Sequence, residues 1–252
     1  MNKTALVIVD FQNDFLPPDG SLAVNQGRDV LPVLKRLLDR SEWDWAAVLA
    51  SQDYHPRGHI SFASTHGEDA FSSKRVTNAH GLEYDQILWP DHCVIGTKGA
   101  EIDQDLRQDF PAWDDRMTIV RKGQYSGLEE YSAFDGEIND LLHPKDKPPS
   151  SDGSDLPKGL GPSDKQVAKH LRDKSIENVV VVGLATDFCV LHTAMASLEA
   201  GFKTCVLAPA VRGIKEEDID KAFETINSSG GDVVGKEDEA SWRDELKRWT
   251  SS

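Results

Sequence analysis

A thiol, a carboxyl and an amine stand at Cys189, Asp10 and Lys122, each at or just past the end of a short apolar run. Together they make a nucleophilic set. A free thiol with pKa about 8.5 is only a few per cent thiolate at pH 7. A helix start and a nearby ammonium favour the anion, and a carboxylate can carry the thiol proton to a leaving group. In that arrangement Cys189 attacks, Asp10 serves first as general base and then as general acid, and Lys122 holds the acid electrostatically. The three titrations are coupled, so no single pKa belongs to one residue. Backbone N–H groups in the tight turn from Leu184 to Cys189 point where an oxyanion develops, and losing one such donor typically costs about 10²–10³ in rate. Buried cysteines more often act as small hydrophobes. The ionisable neighbours argue against that reading here.

A second constellation lies in SQDYHPRGHISF, Ser51 to Phe62, and in WPDHC, Trp89 to Cys93. Asp53 and His55 are two apart on an extended segment, which turns both side chains to one side and suits two ligands of one metal ion. The third ligand comes from elsewhere. His92 is the natural candidate, and His59 competes with it on sequence grounds alone. Two histidines and one carboxylate leave open positions for water or substrate, as catalytic sites do.

The elements that must position these groups alternate. Runs at Ala5–Val9, Ala46–Ala50, Thr118–Arg121, Val179–Val182, Thr204–Leu207 and Asp232–Val234 read as strands, the first five apolar enough to be covered on both faces. Helical patterns lie between them at Asp29–Arg40, Glu129–Leu142, Ser163–Ser175, Asp187–Ala200, Glu216–Ser228 and Glu239–Trp249. This order predicts a three-layer α/β/α fold on a mostly parallel, doubly wound sheet of about six strands. Ligands of open α/β sheets bind outside the carboxyl ends of the strands. Asp10, then Asp53 with His55, then Lys122 and then Cys189 follow four successive strand runs, so all should meet at one edge. His55 to Asp115 reads as an elaborated loop region between the second and third strands, and 143–164, rich in Pro, Gly, Ser and Asp, as a flexible insertion in a single domain spanning residues 1–252.

Composition bounds the partners. The formal net charge of -15 over 252 residues argues against nucleic acid or an anionic membrane, both of which need a basic face. No apolar run approaches the ~20 residues of a membrane span, and MNKTALVIVD lacks the apolar region of a signal peptide. Three cysteines without paired zinc-finger spacing fit a reduced, cytoplasmic protein, with nucleus and peroxisome compatible. A homo-oligomer is compatible with the sequence.

Five stretches, ALVIVDFQNDFLPPDGSL, SQDYHPRGHISFA, ILWPDHCV, IVRKG and VVGLATDFCVLHTA, resemble, in order, the motifs of the nicotinamidase branch of the isochorismatase-like cysteine hydrolases. The resemblance runs from about residue 4 to 212. It implies that Cys189, Asp10 and Lys122 form the catalytic triad. Asp53, His55 and His92 would then bind a divalent metal, commonly zinc, with His59 as a supporting residue or alternative ligand. It further implies a cis peptide before Ala185, with the N–H groups of Ala185 and Cys189 as the oxyanion hole, and Phe15 and Trp89 stacking on the substrate ring. The implied reaction turns nicotinamide, and pyrazinamide beside it, into the acid and ammonia through a cysteine thioester, in pyridine nucleotide salvage. The nearest rival is another isochorismatase-like hydrolase acting on a small amide or ureide. A non-heme iron oxygenase would share the two-histidine, one-carboxylate set but leave Cys189 and Lys122 without work, and a non-catalytic binding protein would leave all of them idle.

Overall fold

Apolar β-branched runs that bury both faces pair into a central sheet, and each of the six expected runs does so. The computed structural model describes residues 3–139, 164–236 and 241–251. The first run is β1 (Thr4–Val9), followed by 3-10 turns at Asn13–Phe15 and Gly27–Val30, helix α1 (Leu31–Leu37) and β2 (Ala47–Asp53). The long region after β2 carries a one-turn helix α2 (Ala63–His66), a hairpin of β3 (Ser73–Thr77) and β4 (Glu83–Ile87), and a one-turn helix α3 (Gln104–Arg107). Then come β5 (Met117–Lys122), β6 (Glu137–Asn139), α4 (Gln166–Asp173), β7 (Asn178–Leu184) and α5 (Leu191–Glu199). The chain continues through β8 (Lys203–Arg212), α6 (Glu216–Ser228), β9 (Asp232–Val234) and α7 (Trp242–Ser251).

Among the described residues the main sheet has seven strands in the order β6-β5-β2-β1-β7-β8-β9. All neighbours are parallel except β6, which runs antiparallel to β5 at the edge. Alternation along β1 divides the core. Leu6 and Ile8 join Leu34 and Leu37 of α1 and Leu246 of α7 on one face. Ala5, Val7 and Val9 join Leu171 of α4, Ala194 of α5 and Ile226 of α6 on the other. The architecture is three-layer α/β/α. From β1 the chain winds outward through β2 and β5, then returns to β7 on the opposite side, so the winding reverses between β1 and β7, where such folds open a ligand crevice. Gly183 lets the two strands close up there: at φ +115 it lies so near β1 that a Cβ would sit 2.1 Å from the Val9 carbonyl oxygen.

Glu129–Leu142 does not form the expected helix. Its described part is a turn followed by β6, the strand absent from the six-run reading. Side-chain oxygens claim the backbone that a helix would need: Thr193 Oγ1 accepts from Ala133 N at 3.0 Å, and Ser132 Oγ from Phe134 N at 3.0 Å. The expected helix from Asp29 opens as a 3-10 turn before α1, and the one from Asp187 opens with a π turn at Thr186–Val190. The segment read as a flexible insertion falls, apart from Asp164, outside the described residues. Among the described residues no helix is long and apolar enough to cross a membrane.

Candidate active site

β5, β2, β1 and β7 are consecutive and parallel, so their carboxyl ends deliver Lys122, Asp53, Asp10 and the Cys189 turn to one edge. All four side chains are buried. Lys122 Nζ lies 2.9 Å from Asp10 Oδ2 and 3.4 Å from Cys189 Sγ, and it also pairs with Asp53 Oδ1. Ser51, two residues before Asp53 on the same strand face, donates from Oγ to Asp10 Oδ1 at 2.6 Å. Gln12 clamps the Asp53 backbone, taking its N–H at 2.8 Å and donating to its carbonyl at 2.8 Å. Asp187, in the nucleophile turn, accepts from the N–H groups of Ile214 (2.9 Å) and Lys215 (3.1 Å), tying that turn to the loop before α6.

Dehydration decides the charge states. Burial raises the Asp10 carboxyl above its ordinary range, against the pull of Lys122. Burial also works against the Asp53 anion, but Lys122 and His55 outweigh it and hold that carboxyl well below its ordinary range. Lys122 would be lowered by burial, yet Asp10 and Asp53 hold its ammonium well above the usual range. Burial pushes the Cys189 thiol well up, and Lys122 does not offset it. This departs from the expectation that the ammonium and the helix start would favour a standing thiolate. The resting sulfur is a thiol beside a carboxylate inclined to take a proton.

The Leu184–Ala185 peptide is cis. The Ala185 carbonyl accepts from the N–H groups of Phe188 (3.1 Å) and Val190 (3.0 Å), bypassing the Cys189 amide between them. The π turn produces that offset.

Asp53, His55 and His92 bring one ligand atom each to within 4.8 Å of one another. Their hydrogen bonds favour a cation at the centre. His55 Nδ1 lies 2.9 Å from the Gly123 carbonyl oxygen, and His92 Nδ1 lies 2.8 Å from that of Pro90. A carbonyl only accepts, so Nδ1 carries the proton in both rings and Nε2 is left as the lone-pair atom. Those Nε2 atoms face Asp53 Oδ2 at 3.6 and 3.8 Å, too far for a hydrogen bond, and His55 Nε2 is buried without a partner among the described residues. Burial works against a charged His55, yet Asp53 outweighs it and raises the imidazole pKa. The place draws positive charge, and a divalent ion fits it.

His59 is not in this group. Its Nδ1 is 2.8 Å from Ser61 Oγ, its Nε2 is 3.0 Å from the Leu128 carbonyl oxygen, and its ring stacks on His55 with centroids 4.1 Å apart. Burial, with His55 beside it, holds the ring well below the ordinary histidine range, so it supports His55 as a neutral ring. Phe15 lies against His92, ring centroids 5.5 Å apart, and Trp89 meets Phe188, the neighbour of Cys189, edge to face at 4.9 Å. The sequence motifs alone assign no role to Ser51, Gln12 or Asp187. Ser51 carried a signal, since period-two alternation places it on the face of Asp53.

Comparison with known proteins identifies the family to which this fold belongs. Residues 4–141 and 159–238 match the isochorismatase domain. A nicotinamidase from Escherichia coli (strain K12) is 34% identical over 91% of this chain and 93% of its own. A yeast nicotinamidase structure superposes with a TM-score of 0.77 at 30% identity, covering 92% of this chain and 100% of that one. A pyrazinamidase of Pyrococcus horikoshii in complex with zinc gives a TM-score of 0.65 at 30% identity, over 92% and 98% of the two chains. With the matched domain spanning most of its length and the strand-end residues in place, this chain belongs to the isochorismatase domain family.

Proposed function

We propose that this protein is a nicotinamidase, hydrolysing nicotinamide to nicotinate and ammonia through a thioester on Cys189. The observation that carries the reading is the meeting of Asp10, Lys122 and Cys189 beside the Asp53, His55 and His92 group at one sheet edge. The kinship with nicotinamidases supports the substrate, and pyrazinamide, with the same carboxamide on a similar ring, is the natural second one.

Asp10 takes the thiol proton as sulfur attacks the carboxamide carbon, so nucleophile and base are made together. Lys122 stays protonated and holds Asp10 and the developing sulfur charge in place. The N–H groups of Ala185 and Cys189 receive the oxyanion. Asp10 then gives its proton to the amide nitrogen, the C–N bond breaks, ammonia leaves and the thioester remains. Water attacks the thioester, Asp10 accepts one of its protons, and the C–S bond breaks with that proton passing to sulfur; the acid leaves with the other proton and ionises to nicotinate in solution. Asp53, His55 and His92 would hold the divalent ion, zinc in our reading, which when bound supplies a Lewis-acid contact for the pyridine nitrogen. Phe15 and Trp89 flank the ring and limit its rotation, which sets the carboxamide near attack distance.

The test is ammonia release over a panel of nicotinamide, pyrazinamide and small ureides, with wild type and Cys189→Ala. Turnover of nicotinamide and pyrazinamide by wild type, lost in the variant while substrate still binds, is expected. Near-normal rates in the variant would remove the nucleophile assignment, and a preference for ureides would replace the substrate.

A further inference from the structure

One more ionisable side chain is buried where β5 ends, and the chemistry above does not use it. Glu130 is 7% exposed. Its Oε2 accepts from the Gly123 N–H at 2.7 Å, and its backbone carbonyl accepts from Lys122 Nζ at 3.3 Å. A single residue therefore grips two consecutive positions, one by its side chain and one by its main chain. Gly123 is itself a junction. Its carbonyl takes the His55 Nδ1 proton at 2.9 Å, and its φ of +64 packs it so tightly on that ring that a Cβ would lie 2.2 Å from His55 Cε1.

We propose that Glu130 is a positioning residue: by holding the Lys122–Gly123 corner it fixes both the catalytic ammonium and the imidazole of His55. Without the carboxyl, the Gly123 N–H is a buried donor lacking an acceptor, an unfavourable state that moving the corner relieves. Movement carries the Gly123 carbonyl away from His55 and frees Lys122 to shift off Asp10 and Cys189. Burial above all, with Asp135 and Glu129 adding to it and the Gly123 N–H and Lys122 opposing, brings the Glu130 carboxyl up to about 8. Near pH 7 it is mainly a neutral acceptor, and the carbonyl of a glutamine can take its place.

The kinetic part of this inference rests on the nicotinamidase reading, whereas the metal part does not. The full chain as wild type, Glu130→Ala and Glu130→Gln is titrated with zinc against a chromogenic chelator. It is then assayed for kcat and KM on nicotinamide at saturating zinc, with thermal unfolding as a control. Loss of a hydrogen-bond partner behind a metal-bound histidine typically costs about 10–100-fold in metal affinity or activity. We expect Glu130→Ala to weaken zinc binding and to lower kcat by about 10-fold or more each, and Glu130→Gln to restore both to within about threefold. Unchanged zinc affinity and kcat in Glu130→Ala would overturn the proposal, as would a fall in unfolding temperature alone or a glutamine variant as impaired as the alanine one. If the alanine variant does not fold, Glu130→Asp, one methylene too short for the Gly123 N–H, is judged by the same two quantities. Wild type that releases no ammonia would fail the nicotinamidase reading, and the zinc titration would still decide the role of Glu130.

Discussion

Replacing Lys122 by methionine keeps the length of the side chain and removes its charge, leaving Asp10 and Asp53 buried with no ammonium between them. Breaking a buried ion pair by deleting one partner costs about 3–5 kcal/mol. At about 2–4 °C per kcal/mol for a chain of this size, the unfolding temperature should fall by about 6–20 °C. The pH dependence has a definite sign. Asp53, held well below its ordinary range, contributes stability above that range and loses it as pH falls through its folded pKa. Lys122, held well above its ordinary range, contributes stability below about pH 10.4 and loses it as pH rises through its folded pKa. Both contributions are therefore present at pH 7 and absent from the variant. In Lys122→Met only His55 remains to favour the Asp53 anion, and Asp10, already raised by burial, loses its ammonium, so Asp10 takes a proton more readily as pH falls below 7 and the variant should recover relative to wild type. Urea unfolding followed by tryptophan fluorescence, with chelator present at pH 5 and 7, measures the gap directly. A gap below about 1 kcal/mol at pH 7, the range of an exposed pair, would refute the reasoning. A gap that widens toward pH 5 would do so equally.

Ser51→Ala removes the 2.6 Å donor to Asp10 Oδ1. A hydrogen bond to a charged group is worth about 1.5–3 kcal/mol, so kcat/KM should drop about 10–100-fold. The acid limb of the pH profile should move upward, because Asp10 loses a contact that favours its anion; an unmoved limb would count against the assignment of Asp10. Gly123→Ala should lower zinc affinity through the clash with His55, and a variant that binds zinc like wild type would show that the corner yields freely. Exhaustive chelation should sharply raise KM for nicotinamide, reversibly on adding zinc. A verified metal-free enzyme with unchanged kinetics would refute the metal role.

The parts of this site that the sequence reveals are those tied to strand ends. Asp10, Asp53, Lys122 and Cys189 each follow a run whose apolar pattern is plain, and parallel pairing then brings the ends together without further information. The choice between His59 and His92 lay beyond such reasoning, because it depends on loop contacts distant in sequence. The loop around His92 is laid along the segment that carries His55 by bridges from His55 to Val94 and from Phe62 to Trp89. His59 meanwhile spends both ring nitrogens on Ser61 and Leu128. Glu129–Leu142 misled because Tyr131, Phe134 and Ile138 have helical spacing, and spacing does not record that Thr193 and Ser132 bind the backbone there. The thiol misled for another reason. Sequence shows which charges are near Cys189 but not how little water reaches it, and here dehydration is the larger effect.

Charge accounting in the pocket connects these observations. Two buried carboxyls meet one buried ammonium, and an uncompensated negative charge in a dry site is expensive. The surplus can be met in two places. On the Asp10 side the carboxyl gains affinity for a proton. On the Asp53 side Oδ1 is committed to Lys122, so Oδ2 turns to the two imidazoles and raises the pKa of His55. One electrostatic demand thus leaves a carboxyl with a raised affinity for a proton at one end and a cluster that draws positive charge at the other. Lys122 keeps the two apart: it satisfies enough of each carboxylate to let both be buried, and too little of either to leave it inert.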